Sequence, residues 1–205
     1  MAVRLGNRRF KPGVWPTLVT LALVTLTCSL GNWQLDRARE KEALYASFEA
    51  GNLDQGALPI DQLQPDSRPF TPVTAFGRFD SQHQILLDAM MHEGRTGYQV
   101  LTPLLRDGRP AVLVNRGWIE AESNREILPV LDVAEPERRV TGLSGHLPEP
   151  AMRLSGVGTA ASAWPWVALY PTREQVEKML GYPVLDTIVF LDANGPDGFL
   201  RAWRP

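Results

Sequence analysis

Residues 12 to 35 carry no charged side chain, and their centre, Val14 to Gly31, is dense in Leu, Val, Ala and Thr. Eighteen helical residues at about 1.5 Å rise span about 27 Å, close to the thickness of a bilayer's hydrocarbon layer. A buried core helix would show a polar face at helical period, and here the polar positions are only Thr, Ser and Cys. The pattern predicts an uncleaved transmembrane helix over 14–31, after a basic N-terminal segment, 1–13. A signal peptide, with Ser29 and Gly31 at the small positions of a cleavage site, is the competing reading, and the length of the apolar run favours the anchor. Trp15 and Trp33 flank the span, where indoles favour the membrane interface.

Charge sets the direction. Arg4, Arg8, Arg9 and Lys11 precede the span with no acidic residue among them, whereas Arg37, Arg39 and Lys41 beyond it are mixed with Asp36, Glu40 and Glu42. The basic excess predicts a cytoplasmic (or matrix) N-terminus and a main domain in the periplasm or intermembrane space.

Past the span the period changes twice. Asn32 to Ala50 is rich in Ala, Leu, Glu, Arg and Lys and lacks Pro and Gly, so it reads as a helix leading out of the membrane. Gly51 to Pro69 reads as a loop, which makes 32–69 a membrane-proximal helix and loop. From Phe70 the pattern is β, and 70–205 forms the external domain. Short strands are predicted at Thr71–Phe79, Gln84–Leu87, Tyr98–Leu105, Ala111–Ile119, Arg139–His146, Trp164–Leu169, Thr187–Asp192 and Phe199–Trp203. Turn pairs such as Asp107-Gly108, Asn194-Gly195 and Asp197-Gly198 separate several of them. Asp107-Gly108 predicts an antiparallel hairpin from Tyr98 to Ile119. One helix is expected at Arg173–Leu180, with Thr172 and Gln175 as a capping box and Gly181 as its stop. The fold class is mainly β: an antiparallel barrel or sandwich-like external domain with one or two helices, preceded by the N-terminal transmembrane helix.

Composition narrows the chemistry. The 205 residues carry a net charge of -2 and a pI near 5.9, which offers no basic face for nucleic acid. Cys28 is the single cysteine, so there is no internal disulfide and no CxxC motif. His83, His92 and His146 form no HxxxH or HxH pair, and a metal site built from them would need all three or added carboxylates. No GxSxG elbow, GxxxxGK[ST] loop or GxGxxG loop occurs. Gly156–Gly158 reads as a flexible connection. Catalysis thus has no handle in the sequence, and no catalytic or metal-binding residue is assigned.

The tryptophans and one tetrapeptide carry more. Trp118, Trp164, Trp166 and Trp203 fall in or near predicted strands, as core residues or as an aromatic surface for a flat apolar ligand or a partner. In Asn115-Arg116-Gly117-Trp118 an apolar strand runs into Arg116 and is then broken by Gly117, the mark of a bulge or a close backbone approach. Arg116 there is a planar donor able to hold a carboxylate, either of the domain itself or of a client. The sequence leaves both roles open.

Taken together, these segments resemble the Surfeit locus protein 1 family. Gly31-Asn32-Trp33-Gln34-Leu35-Asp36-Arg37, followed by Lys41, is similar to the family's G-x-W-Q-x-x-R…K signature. Pro72 to Asp80 resembles its first external strand, and Gly97 to Leu104 with Val112 to Trp118 its most recognisable block. Trp166, the Thr172 helix and Phe199 to Pro205 follow the order of its C-terminal half. The resemblance implies a membrane-anchored, non-enzymatic assembly factor for haem-copper cytochrome c oxidase, assisting haem a insertion into the catalytic subunit. Its implied partners are that subunit, other assembly factors and the lipid bilayer, with haem a as a transient cofactor. Its implied location is the bacterial inner membrane, or the mitochondrial inner membrane. The resemblance marks Trp33, Gln34, Arg37, Tyr98, Asn115, Arg116, Gly117 and Trp118 as motif residues and candidate client or cofactor contacts. The family pattern continues into a histidine-bearing motif and a second span, and the sequence past Pro205 decides whether those follow. A membrane-tethered periplasmic enzyme and an envelope interaction module are the alternatives.

Overall fold

The computed structural model describes residues 3–5, 8–10, 13–51, 56–64, 66–134, 136–149 and 163–201. The expected connection Gly156–Gly158, Trp203 and the chain end at Pro205 lie outside them. The chain divides into two units, Met1–Tyr45 and Ala46–Pro205.

The first unit holds a two-stranded ribbon, β1 (Val3–Leu5) with β2 (Arg8–Phe10), and most of a single helix, α1 (Val14–Gly51). Thus the apolar run and the charged run after it form one uninterrupted helix rather than two. No Pro interrupts it beyond its first turn and no Gly pair weakens it, so nothing stops propagation where the composition changes. Its segment Val14–Ala43 is long and apolar enough to cross a membrane and is nowhere buried. Thr17, Thr20, Thr25 and Thr27 turn their hydroxyls back to carbonyls one turn earlier, so these polar groups need no water.

The second unit is the β domain. Its elements are β3 (Leu58–Pro59), a 3-10 turn at Ile60–Gln62, β4 (Pro72–Phe79), β5 (Ile85–His92), β6 (Arg95–Arg106), β7 (Arg109–Glu120), β8 (Arg138–Gly145), β9 (Trp166–Ala168), α2 (Arg173–Leu180) and β10 (Ile188–Leu191). Hydrogen-bonded neighbours run β4-β8-β10-β7-β6, and β6 returns to β4 through Leu104 and Leu105. Five strands therefore close into a barrel, while β5 and then β9 extend the sheet from the far end of β6. The β6–β7 hairpin turns at Asp107-Gly108, with Gly108 at φ +63°. The pairing is mixed rather than wholly antiparallel: β10–β7, β5–β9 and β3–β4 are parallel. Predicted strand Trp164–Leu169 shortens to β9, and of Phe199–Trp203 the described part makes one bridge, Leu200 to Trp118.

Period-2 alternation sorts the core. Val73, Ala75, Phe79, Leu104, Val112, Val114, Val140, Val189 and Leu191, from all five barrel strands, fill the interior. The opposite faces of β5, β6, β7 and β10 present Ile85, Leu87, Leu101, Leu113 and Ile188 to Trp166 and to α2 through Val176 and Leu180. Helix α2 is short and needs its ends secured. Thr172 and Gln175 exchange both capping bonds, and Gly181 closes the helix at φ +78°.

Candidate functional site

The interior face of β6 reads Leu104, Thr102, Val100, Tyr98. Leu104 belongs to the barrel interior, and Val100 and Tyr98 to a third apolar cluster with Leu86 and Leu131. Thr102 lies between the two, and Gln84 from just before β5 and Arg116 from β7 join it. All three are buried, Arg116 to 1% exposure. A polar layer thus divides two apolar ones.

Hydrogen bonds close this layer almost completely. Arg116 Nε donates to the Asp197 carbonyl at 2.7 Å, Nη2 to the Asp132 carbonyl at 2.5 Å, and Nη1 to Gln84 Oε1 at 2.9 Å and Thr102 Oγ1 at 3.4 Å. Gln84 spends its amide on the carbonyls of Ser81 and Leu131 and accepts from Thr102 at 2.9 Å. The Phe199 ring covers the guanidinium at 4.8 Å. Among the described residues the hydrogen-bond partners of Arg116 are neutral oxygens rather than a carboxylate of the domain, because the layer is closed by two loop backbones and an amide. Burial lowers its pKa to about 10, an effect that nearby Asp197 opposes.

The rest of the tetrapeptide builds the rim. Gln99 pairs with Trp118 but Leu101 pairs with Asn115, so the register slips across Arg116 and Gly117. Gly117 has φ +123°, and a Cβ there would lie 2.7 Å from the Leu200 carbonyl oxygen. Asn115 Oδ1 accepts from Gly117 N–H at 3.1 Å, and its amide donates to Gln99 at 3.0 Å. The bulge opens β7 to residues 199–200: Phe199 N–H donates to the Arg116 carbonyl and Trp118 N–H to that of Leu200, both at 2.7 Å. Trp118 Nε1 donates to the Met90 carbonyl at 2.7 Å, and His92 packs on its ring at 5.3 Å. Arg201 straps the segment down by donating to the carbonyls of Leu191, Asp192, Gly195, Arg116 and Phe199.

The structure therefore gathers Asn115, Arg116, Gly117 and Trp118 into one buried bulge. Tyr98 is buried at its edge with Arg125 over its ring at 5.0 Å. Trp33, Gln34 and Arg37 belong to the other unit, where they lie exposed on α1 and Arg37 pairs with Glu40 at 2.9 Å. Sequence reading missed Gln84, Thr102 and Arg201. The available signal was a polar residue on the apolar face of a strand, plain for Thr102 within Tyr98–Leu105.

Two further polar regions stand apart from the bulge. Asp61 pairs with both Arg106 and Arg109 beside a groove of about 420 Å³ that Arg139 and Phe76 also line. Burial works to raise the Asp61 pKa, but the two arginines bring it below the usual value. At the turn after β4, Asp80 Oδ2 accepts from His83 Nδ1 at 2.7 Å and from the Tyr182 hydroxyl at 2.8 Å. Burial and this bond to Asp80 raise the Tyr182 pKa well above its ordinary value. Among the described residues no group of three or more His, Cys, Asp or Glu side chains could hold a metal ion.

Against known proteins, the sequence profile of the SURF1 family matches residues 21–203. A SURF1-like protein of Rickettsia felis is 38% identical over 110 residues, 53% of this chain and 46% of that protein. One from Monosiga brevicollis is 28% identical over 158 residues, 71% of this chain and 54% of that protein. The cytochrome oxidase assembly protein SHY1 of Saccharomyces cerevisiae is 29% identical over 106 residues, 49% of this chain and 27% of that protein. The chain spans about half the length of the SURF1-like relatives it matches. Because the family match begins inside the apolar helix and runs past the Trp118–Leu200 bridge, it takes in both units, and the chain belongs to the SURF1 family.

Proposed function

We propose that this chain is a membrane-anchored assembly factor for haem-copper cytochrome c oxidase, and that it assists haem a insertion into the catalytic subunit without turning over a substrate. The observation that carries this reading is the extent of the family match, residues 21–203, which takes in most of the apolar helix together with the β domain. The name of the yeast relative, a cytochrome oxidase assembly protein, supports the process. Haem a as the cargo, the catalytic subunit and other assembly factors as partners, and the bacterial inner membrane with an external β domain as the location extend that reading. The mitochondrial inner membrane is the alternative location. The charge asymmetry around the span supports a cytoplasmic N-terminus.

The experiment is deletion of the gene, with haem a content of the purified oxidase and abundance of an oxidase lacking haem a measured side by side. An assembly factor of this kind lowers the first and spares the second. Unchanged haem a content would reject the reading in favour of a tethered enzyme or an envelope module. Reporter fusions after Ala50 test the topology: activity only outside the cytoplasm is expected, and cytoplasmic activity would reverse the orientation.

A further inference from the structure

Alternation along β4 buries Val73, Ala75, Gly77 and Phe79 and turns Phe76 and Arg78 outward. Across the ladder Phe76 stands opposite Arg139 of β8, which is exposed on the same outer face. Along its other edge β4 pairs with β3 at Val73 and Thr74 and with β6 only at Arg78 and Phe79. Ala75, Phe76 and Gly77 have no ladder partner on that edge among the described residues. The groove of about 420 Å³ lies at this seam of the barrel, lined by Phe76 and Arg139 together with Asp61, Arg106 and Arg109.

The three arginines of the groove are not equivalent. Arg106 is spent: Nε and Nη2 donate to the Pro110 carbonyl at 3.0 and 2.7 Å, and Nη1 donates to Asp61 Oδ1 at 2.8 Å. Arg109 donates through Nη1 to Asp61 Oδ2 and keeps 60% of its side chain exposed. Burial works to raise the Asp61 pKa, but the two arginines bring it below the usual value, so the carboxylate stays ionised and holds both in place. Arg139 makes no hydrogen bond or ion pair among the described residues. With Asp107 as the second carboxylate of the lining, three guanidiniums face two carboxylates, and one positive charge is left over. The chain as a whole is at -2, so this face reverses its overall sign.

Those features narrow the occupant. A single surplus charge does not suit a polyanion. The lining contains arginine and no lysine, and a guanidinium fork matches a carboxylate in a fixed geometry. Phe76 is 59% exposed beside that fork and offers apolar area that a free inorganic anion would leave unused. Arginine and an exposed aromatic side by side are the composition of a protein-docking centre.

We propose that the outer face of β4 and β8 at this seam docks an acidic segment of a partner protein, with an Asp or Glu carboxylate on Arg139 and Arg109 and a neighbouring apolar side chain on Phe76. The proposal rests on the assembly reading above, under which that partner is the oxidase catalytic subunit.

The test is photo-crosslinking in cells that make the full-length chain with Phe76→p-benzoylphenylalanine, followed by recovery of the tagged catalytic subunit and mapping of the joined peptides. A crosslink to a segment carrying Asp or Glu is expected. Arg139→Glu in the same chain should lower its yield about tenfold or more, and Lys in place of the mapped acidic residue should restore it. Arg139 is exposed, so the thermal midpoint should not move, and Arg139→Gln is scored the same way if the reversal unfolds the domain. The same photo-reactive residue at Tyr170, exposed ahead of α2, measures random collision. Crosslinks only to lipid or to a second copy of this chain, a yield no higher than at Tyr170, or a yield that neither Arg139 variant lowers would overturn the docking site and leave the assembly reading standing. Unchanged haem a content on gene deletion would overturn that reading by itself, whatever Phe76 touches.

Discussion

Two polar clusters of the β domain use similar parts at different depths. Around Arg116, a long cationic side chain is walled in by Gln84, Thr102 and two loop carbonyls, and Phe199 closes the top. Around Asp80, a carboxylate accepts from Gln82, His83 and Tyr182, and the histidine it holds keeps a third of its side chain in solvent. The first cluster spends its hydrogen bonds on joining β5, β6, β7 and two loops. The second spends them on tying the turn after β4 to Tyr182, which follows α2. The Asn115–Trp118 block is conspicuous because a barrel strand must bulge there to admit the 199–200 segment.

The largest effect that would break this contrast is expected at Arg116. Arg116→Leu takes the guanidinium donor from the carbonyls of Asp132 and Asp197 in a buried layer and leaves Gln84 Oε1 with Thr102 as its donor. The cost should be about 3–5 kcal/mol, which in a domain of this size lowers the thermal midpoint by roughly 10 °C. Arg116→Lys should recover little, since one ammonium cannot reach acceptors set in a fork. A midpoint unchanged by Arg116→Leu would mean that the layer is not structural.

Gly117→Ala comes next. The new Cβ meets the Leu200 carbonyl, and the backbone must leave φ +123°, so a loss of about 2 kcal/mol is expected. Hydrogen exchange should show the Trp118–Leu200 bridge opening first.

In the second cluster effects on stability shrink. Tyr182→Phe removes one hydrogen bond to Asp80, worth about 1 kcal/mol at neutral pH. Its pH signature has a definite sign. The folded-state pKa of Tyr182 is raised above its ordinary value of 10.0, so the stabilisation is complete below pH 10 and declines as pH rises beyond it. Wild type should therefore lose stability in alkali more steeply than Tyr182→Phe, and parallel unfolding curves would refute the buried phenol. Smallest of all is His83→Ala, at under about 1 kcal/mol, since the ring is partly exposed and its partner keeps two other donors. A large destabilisation there would erase the difference between the clusters.

Local chemistry carries only part of this architecture. The apolar run ending near Gly31, the hairpin at Asp107-Gly108, the capped helix after Thr172 and the irregularity at Gly117 were all legible in the sequence. Each depends on neighbours within a few residues, through period, turn chemistry or a missing Cβ. The junction between the apolar run and the charged helix after it was legible as a change of composition. It is not a break in structure, because helix propagation is indifferent to which solvent a helix faces.

What only the tertiary structure decided is who meets whom. That β10 lies parallel beside β7, and that β6 returns to β4, follow from closure of the barrel rather than from any strand's own pattern. The acceptors of Arg116 stand 14 to 81 positions away, and Tyr182 reaches Asp80 across 102. A side chain's hydrogen-bonding capacity is written in its type, so the sequence could say that Arg116 needed partners. Whether those needs are met by the protein or left open for something else depends on which loops the closed barrel brings over each strand end. No spacing rule reaches that far along the chain.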